Sequence, residues 1–258
     1  MRRLLVFTSA RSDYGILRPL LRRLQAASEL ELGLFVTGTH LEEAHGATVT
    51  EIEADAMPIV ARERIVSSDD SWVGSARLTS RSIEASAAVL DRWQPDLALV
   101  LGDRVEALGF AIACHYAQLP LAHLHGGEVT SGAIDDSCRH AITKFASLHL
   151  AAAAEFGDRI VQLGERPESV HVIGALGLDS ILEDQRLIGE SPRDTGRVLV
   201  TYHPATSGDE GSLETATAML HACIEADPLE VLVTLPNADH GSDLVRTAID
   251  RVAAQFPG

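Results

Sequence analysis

Asp96-Leu97-Ala98-Leu99-Val100-Leu101-Gly102-Asp103-Arg104 is the stretch whose reading decides the fold. Its apolar run is too short for a comfortable helix and is bounded by Pro95 and Gly102, so it predicts a buried strand that empties into ionisable residues. A second short run, Pro120-Leu121-Ala122, leads into His123-Leu124-His125-Gly126-Gly127-Glu128, which crowds imidazoles, glycines and a carboxylate together. In an open parallel sheet ligands sit beyond the carboxyl ends of the strands, so two such ends place their side chains along one rim. Next come the loop Thr130-Ser131-Gly132-Ala133-Ile134 and then Asp135-Asp136-Ser137-Cys138-Arg139-His140, which opens a helix. An Asp at a helix start caps it by accepting a backbone N–H. A pair is one carboxylate more than a cap requires.

Working outward toward the N-terminus, residues 4–8 form an apolar strand, and Ser9-Ala10-Arg11-Ser12-Asp13-Tyr14-Gly15 reads as a loop entering a helix over 16–27. Leu17, Leu20, Leu21 and Leu24 share one face of that helix, with Arg18, Arg22 and Arg23 outside it. A strand, a polar loop and a helix N-terminus make a phosphate-binding unit. The GxGxxG fingerprint of a tightly held dinucleotide is absent. Arg11 either supplies charge to a phosphate or is a solvated loop arginine.

The alternation continues with strands over 31–37 and 58–62, helices over 46–56 and 71–93, and a helix over 104–117. In this last helix Ala107, Gly109, Ala111 and Ala113 allow close packing on a sheet. Strands at 120–124, 148–152 and 170–174 are separated by helices at 136–146 and 155–163. This pattern predicts an α/β, Rossmann-like, doubly wound parallel sheet with right-handed crossovers. The texture then turns polar, so the expected organisation is a first domain over 1–182, a linker over 183–196 and a partial second domain over 197–258. The last holds a strand ending in His203-Pro204, a helix over 212–226, a strand over 230–235 and a helix over 240–255.

Composition narrows the function. The 258 residues are 46% hydrophobic and only 4% aromatic, which fits a core of Leu, Val, Ile and Ala. A net charge of −16 with no basic run argues against a nucleic-acid partner. No stretch is long and apolar enough to span a bilayer, and Cys114, Cys138 and Cys223 are far apart, so a cytoplasmic protein with reduced thiols is expected.

His123 and His125 invite a metal, since residues two apart on a strand share a face, but no CxxC, HExxH or facial-triad spacing completes a site, and none is expected. No GxSxG provides a serine nucleophile. Asp103, Glu128 and Asp135 sit at neighbouring strand ends and suit proton abstraction and donation. With Arg11, Arg104 and Arg139 they point to an anionic, phosphorylated substrate that undergoes acid-base chemistry.

Gly102-Asp103-Arg104, the His123 to Glu128 cluster and the run from Gly132 to Lys144 closely resemble the hydrolysing UDP-N-acetylglucosamine 2-epimerases of sialic-acid biosynthesis. The resemblance also covers Thr8 to Gly15, Gly174 to Asp179 and His203-Pro204, so it spans essentially the whole chain. It implies two Rossmann-like domains in a GT-B arrangement, with the UDP-sugar as substrate, no NAD or other cofactor, and no obligatory metal. It makes Asp103, Glu128 and Asp135 the acid-base set, with His203 contributed by the second domain. Arg11 would touch the diphosphate, Arg104 and His125 the substrate, and Arg139 would hold the carboxylates.

The implied reaction removes UDP from C1 and a proton from C2, giving 2-acetamidoglucal, and then adds water to yield N-acetylmannosamine and UDP. Non-hydrolysing relatives carry a glutamate at the position of His125, so that glutamate's work falls here to either His125 or Glu128. The family continues past Gly258 into a serine- and glycine-rich nucleotide loop. The expectation is therefore a C-terminally short member, homo-oligomeric in full-length form. It would act on UDP-N-acetylglucosamine or a UDP-diacetamido sugar, or else be an inactive sugar-nucleotide-binding module.

Overall fold

The computed structural model describes residues 1–66, 69, 71–183, 196–203, 212–226, 228–236 and 242–256. The chain divides into two compact units, one carrying a seven-stranded sheet and the other a two-stranded one. Among the described residues no helix is long and apolar enough to cross a membrane.

The first unit alternates strand and helix throughout. Its elements are β1 (Arg2–Thr8), α1 (Arg11–Ala26), β2 (Leu30–Thr37), α2 (Val49–Ala54), β3 (Ile59–Glu63), α3 (Trp72–Trp93), β4 (Leu97–Leu101), α4 (Val105–Tyr116), β5 (Leu121–Leu124), α5 (Ile134–Phe145), β6 (Leu148–Ala151), α6 (Ala154–Gln162), β7 (Val170–Val172) and α7 (Gly177–Glu183). All strands are parallel, in the order β3-β2-β1-β4-β5-β6-β7.

The chain winds outward from β1 to β3, then returns and winds the other way from β4. The switch point therefore falls between β1 and β4, and loops leaving the carboxyl ends of these two strands diverge and open a crevice. Strand side chains alternate between two cores. Leu5 and Phe7 join Phe35, Val100 and Phe110 on one face, whereas Leu4 and Val6 join Tyr14, Leu17, Leu21 and Leu34 on the other. The sparse aromatics are concentrated, with the Phe7 ring stacked on Phe110 at 4.8 Å and edge-on to Phe35 at 5.4 Å.

Four local expectations change. Helix α1 starts at Arg11, so most of the expected loop is its first turn, because Asp13 accepts the N–H groups of Ser9 and Ala10 at 3.0 and 3.1 Å and stabilises an early start. The expected helix over 46–56 shrinks to α2, because Gly46 and Ala47 both take left-handed backbone angles that no helix continues. On α4, Ala107, Ala111 and Ala113 pack into the sheet core as expected, but Gly109 faces α3, where an added Cβ would lie 2.5 Å from Cβ of Ser82. Strand β5 stops at Leu124, so His125 leaves the strand and does not share a face with His123.

The second unit has β8 (Arg197–Val200), α8 (Ser212–Glu225), β9 (Glu230–Val233) and α9 (Ser242–Gln255). The two strands are parallel, and Val200, Leu220 and Val252 form its small core. The expected linker over 183–196 lies outside the described residues apart from its two ends, as does Pro204.

Candidate active site

Side chains from the start of α1, from the carboxyl ends of β4 and β5 and from α5 line a pocket of about 170 Å³, Asp13, Asp103, Arg104, His125, Glu128 and Arg139 among them. It lies at the topological switch point.

Arg139 organises it. It sits one turn into α5 with only 5% of its surface exposed, and its Nη2 donates to the Asp103 carboxylate and, at 3.0 Å, to the Thr130 hydroxyl. Its Nη1 donates to the Glu128 carbonyl at 3.0 Å and to Oδ1 of Asp136 at 3.3 Å. One buried guanidinium thus ties the loop after β4, the loop after β5 and the helix together through charge-assisted bonds. Asp136 also accepts the Thr130 N–H at 2.8 Å, so its carboxylate pins the loop ahead of its own helix.

The loop after β5 is fixed from below and behind. His123 is fully buried. Its Nε2–H donates to the Gly102 carbonyl at 2.8 Å, and its Nδ1 lies 3.1 Å from the Thr143 hydroxyl. A carbonyl only accepts, so the proton resides on Nε2 of the neutral ring. Burial pushes His123 down to about 4, against the Gly102 bond that favours its charged form. His123 thereby holds the carbonyl that immediately precedes Asp103. Gly127 takes φ +80° with its position closed off by α6: a Cβ there would fall 2.2 Å from the Phe156 carbonyl, and Arg159 donates to the Gly127 carbonyl.

His125 adopts φ +62°, left-handed backbone uncommon for any residue but glycine. Its Nδ1 meets Oε1 of Glu128 at 2.8 Å. That bond, and then the nearby charge of Arg139, hold Glu128 below the usual carboxylate value against the opposing effect of burial. Nε2 of His125 is shielded and has no hydrogen-bond partner among the described residues.

On the β1 side, Oδ2 of Asp13 also accepts the Ser9 hydroxyl at 3.0 Å. Burial of its carboxyl pushes its pKa up, offset in part by the nearby charge of Arg104 and the bonds from Ser9. Arg104 caps the start of α4 and approaches the buried Glu106 at 3.5 Å.

The structure therefore brings together Asp103, Arg104, His125, Glu128 and Arg139 of the residues expected from sequence. Arg11 is not with them. It lines an adjoining pocket of about 400 Å³ with Ser12, Gly15, Glu51, Gly177 and Ser180. Asp135 is half-buried in the first turn of α5 and is not among the lining residues. His203 belongs to the second unit, exposed beyond the end of β8. Sequence reading missed Asp13, for which the only signal was a carboxylate four residues after Ser9 at the end of a strand. It also missed the bracing role of His123.

The family described as UDP-N-acetylglucosamine 2-epimerase matches residues 22–256. The UDP-N,N'-diacetylbacillosamine 2-epimerase (hydrolyzing) of Legionella pneumophila is 33% identical, with 96% of this chain aligned to 67% of that protein. Polysialic acid biosynthesis protein P7 of Escherichia coli is also 33% identical, over 99% of this chain and 67% of its own length. The chain thus spans about two thirds of the relatives it matches. Among solved structures, UDP-GlcNAc 2-epimerase from Neisseria meningitidis bound to UDP-GlcNAc superposes with a TM-score of 0.76 at 16% identity, over 98% of this chain and 70% of that one. This is a likeness of fold.

Proposed function

This chain belongs to the UDP-N-acetylglucosamine 2-epimerase family, and from that premise we propose that it is a hydrolysing 2-epimerase that converts UDP-N-acetylglucosamine and water to N-acetylmannosamine and UDP. The observation that carries this reading is the pocket at the switch point, where the Asp103 carboxylate and the His125–Glu128 pair line one volume. Inverting C2 requires a proton to leave one face and another to arrive on the opposite face, hence two ionisable groups around one carbon.

The C2 proton is weakly acidic in the substrate. Departure of UDP from C1 leads, and the oxocarbenium-like centre both acidifies C2 and is stabilised by the surrounding carboxylates. The 2-acetamidoglucal so formed takes up water, with oxygen adding to C1 and a proton to C2. Elimination and hydration are redox-neutral, so the chemistry calls for no NAD. We assign Asp103, Asp135 and the His125–Glu128 pair to acid-base work, Arg11 to the diphosphate, Arg104 to the sugar nucleotide, and Arg139 to holding the carboxylates. His203 is assigned to the same catalysis from sequence alone. The three cysteines are unpaired thiols, in keeping with a cytoplasmic enzyme, and a homo-oligomer is the form we expect to act.

A second reading keeps the reaction and changes the sugar to a UDP-linked diacetamido hexose, favoured by the name of the Legionella relative. Incubation with each UDP-sugar in D2O tests both. Free UDP together with a free epimerised sugar carrying deuterium at C2 is expected. An epimerised sugar still joined to UDP would refute the hydrolytic reading.

A further inference from the structure

Four observations single out His125. It lines the pocket, its backbone is held left-handed, its Nδ1 is engaged by a carboxylate, and its Nε2 has no partner among the described residues. An ionised carboxylate only accepts, so the 2.8 Å contact with Glu128 puts the ring proton on Nδ1 and leaves the lone pair on Nε2. The deeply buried rings of His40 and His123 have both nitrogens engaged, and His140 and His149, whose Nδ1 atoms lack partners, do not line the pocket.

A shielded imidazole nitrogen with nothing to bond is unfavourable unless a ligand supplies what is missing, and a strained backbone persists only where its surroundings over-determine it. Here they do, because Gly127 behind the ring is clamped by Phe156 and Arg159. The Glu128 carboxylate is the weaker candidate on geometry, since its Oε1 already accepts from His125.

We propose that His125, through Nε2, is the group that removes the C2 proton, and that Glu128 is a positioning residue that orients the ring and stabilises it once protonated. This rests on the reaction proposed above and names the group at its first step. The Nε2 lone pair takes the proton, the C2–H electrons become the C1–C2 double bond, and the C1–O bond breaks with its pair on the β-phosphate oxygen of UDP. The imidazolium then passes its proton to solvent, and in the hydration Asp103 takes a proton from the water whose oxygen adds to C1 and delivers it to the opposite face of C2. The charged groups facing His125 are Glu128 on its own loop, Arg139 on α5, Asp103 and Arg104 after β4, and Asp13 on α1, with His123 beneath.

The test compares wild type, His125→Gln, Glu128→Gln and the double variant for UDP release across pH 5 to 9. His125→Gln should lower kcat by roughly 10²–10⁴-fold, the usual worth of general base help. Glu128→Gln should cost about ten- to a hundredfold and move the acid limb of kcat/KM to lower pH, because the imidazolium loses its counter-charge. The double variant should be no slower than His125→Gln, since the two act as a unit. Glu128→Gln as inactive as His125→Gln, with the acid limb unmoved in the residual His125→Gln activity, would make Glu128 the base and overturn the proposal.

Nitrogen-15 spectra of the histidine rings read the pair without turnover. The signals lost in His125→Gln should report a protonated Nδ1 and a bare Nε2 at pH 8, with a titration midpoint that falls in Glu128→Gln. The opposite tautomer would refute the pair even in an active enzyme. Absence of UDP release from wild type, with the expected tautomer present, would instead refute the reaction.

Discussion

Lowering the pH from 7 to 5 should destabilise the first unit through two imidazoles that have nothing to do with turnover of charge in solution. His40 is buried between the hydroxyls of Thr8 and Thr48, at 2.9 and 2.8 Å, and burial holds it at about 4. His123 is likewise held at about 4, chiefly by burial. An unfolded histidine titrates near 6.5, so as the pH falls the unfolded chain takes up protons that the folded chain refuses. The stability they confer is complete above 6.5, is lost as the pH falls, and is fully lost below 4. Between pH 7 and 5 each ring accounts for about 2 kcal/mol, or about 4 kcal/mol together.

Asp13, pushed upward, works in the opposite sense on acidification, and His149, also held low by burial, in the same sense as the two rings, while Asp55 and Glu128, held low, act below this window. Urea titrations at the two pH values, followed by fluorescence of Trp93, whose ring packs over Gly33 of the sheet, measure the loss. His40→Gln and His123→Gln carry their own packing costs at pH 7. Each should nonetheless lose about 2 kcal/mol less than wild type on going to pH 5. Variants that lose as much as wild type would refute the argument that these rings stay neutral in the fold.

Asp103→Asn should lower turnover by about two to four orders of magnitude with UDP affinity retained, as read by single-turnover kinetics and calorimetry; wild-type-like turnover would remove Asp103 from proton transfer. Arg139→Met leaves Asp103 and Asp136 without their shared cation and should cost about 3–5 kcal/mol in urea titration, the range for breaking one side of a buried pair. A cost under about 1 kcal/mol would mean that the carboxylates are held by something else. Arg11→Ala should weaken UDP binding about ten- to a hundredfold, the loss of a charged hydrogen bond, while leaving kcat within a few-fold. A fall in kcat with binding unchanged would place Arg11 at the reacting carbons instead.

The fold was legible because its strands are buried on both faces and its helices are amphipathic, so apolar period and length separate them. The runs 97–101 and 121–124, each with a proline ahead of it, could be read without any knowledge of their neighbours. What could not be read was backbone whose conformation is decided by contacts distant in the chain. The start of α1 at Arg11 is a different case, a local signal passed over, because Ala10 offers no side chain to cap it and Asp13 three residues on reaches back instead. Nothing local says that His125 turns away from the strand, because that turn is imposed by α6 pressing on Gly127 from some thirty residues further along.

The arginines show the same limit in charge. In sequence Arg11, Arg104 and Arg139 are three equivalent cations near three carboxylates, all suited to an anionic substrate. Folding sorts them by what each finds already in place. Arg139 meets Asp103 and Asp136 and is consumed in bracing them, its guanidinium turned inward from solvent. Arg104 faces the buried Glu106 and offsets the cost of burying Asp13. Arg11 alone of the three stays exposed on the first turn of a helix whose N-terminal amides also favour an anion. Of these three arginines Arg11 thus stays open to solvent beside the pocket, while Arg104 and Arg139 lie against carboxylates. This division is what a pocket for a diphosphate-linked sugar with an acid-base step requires.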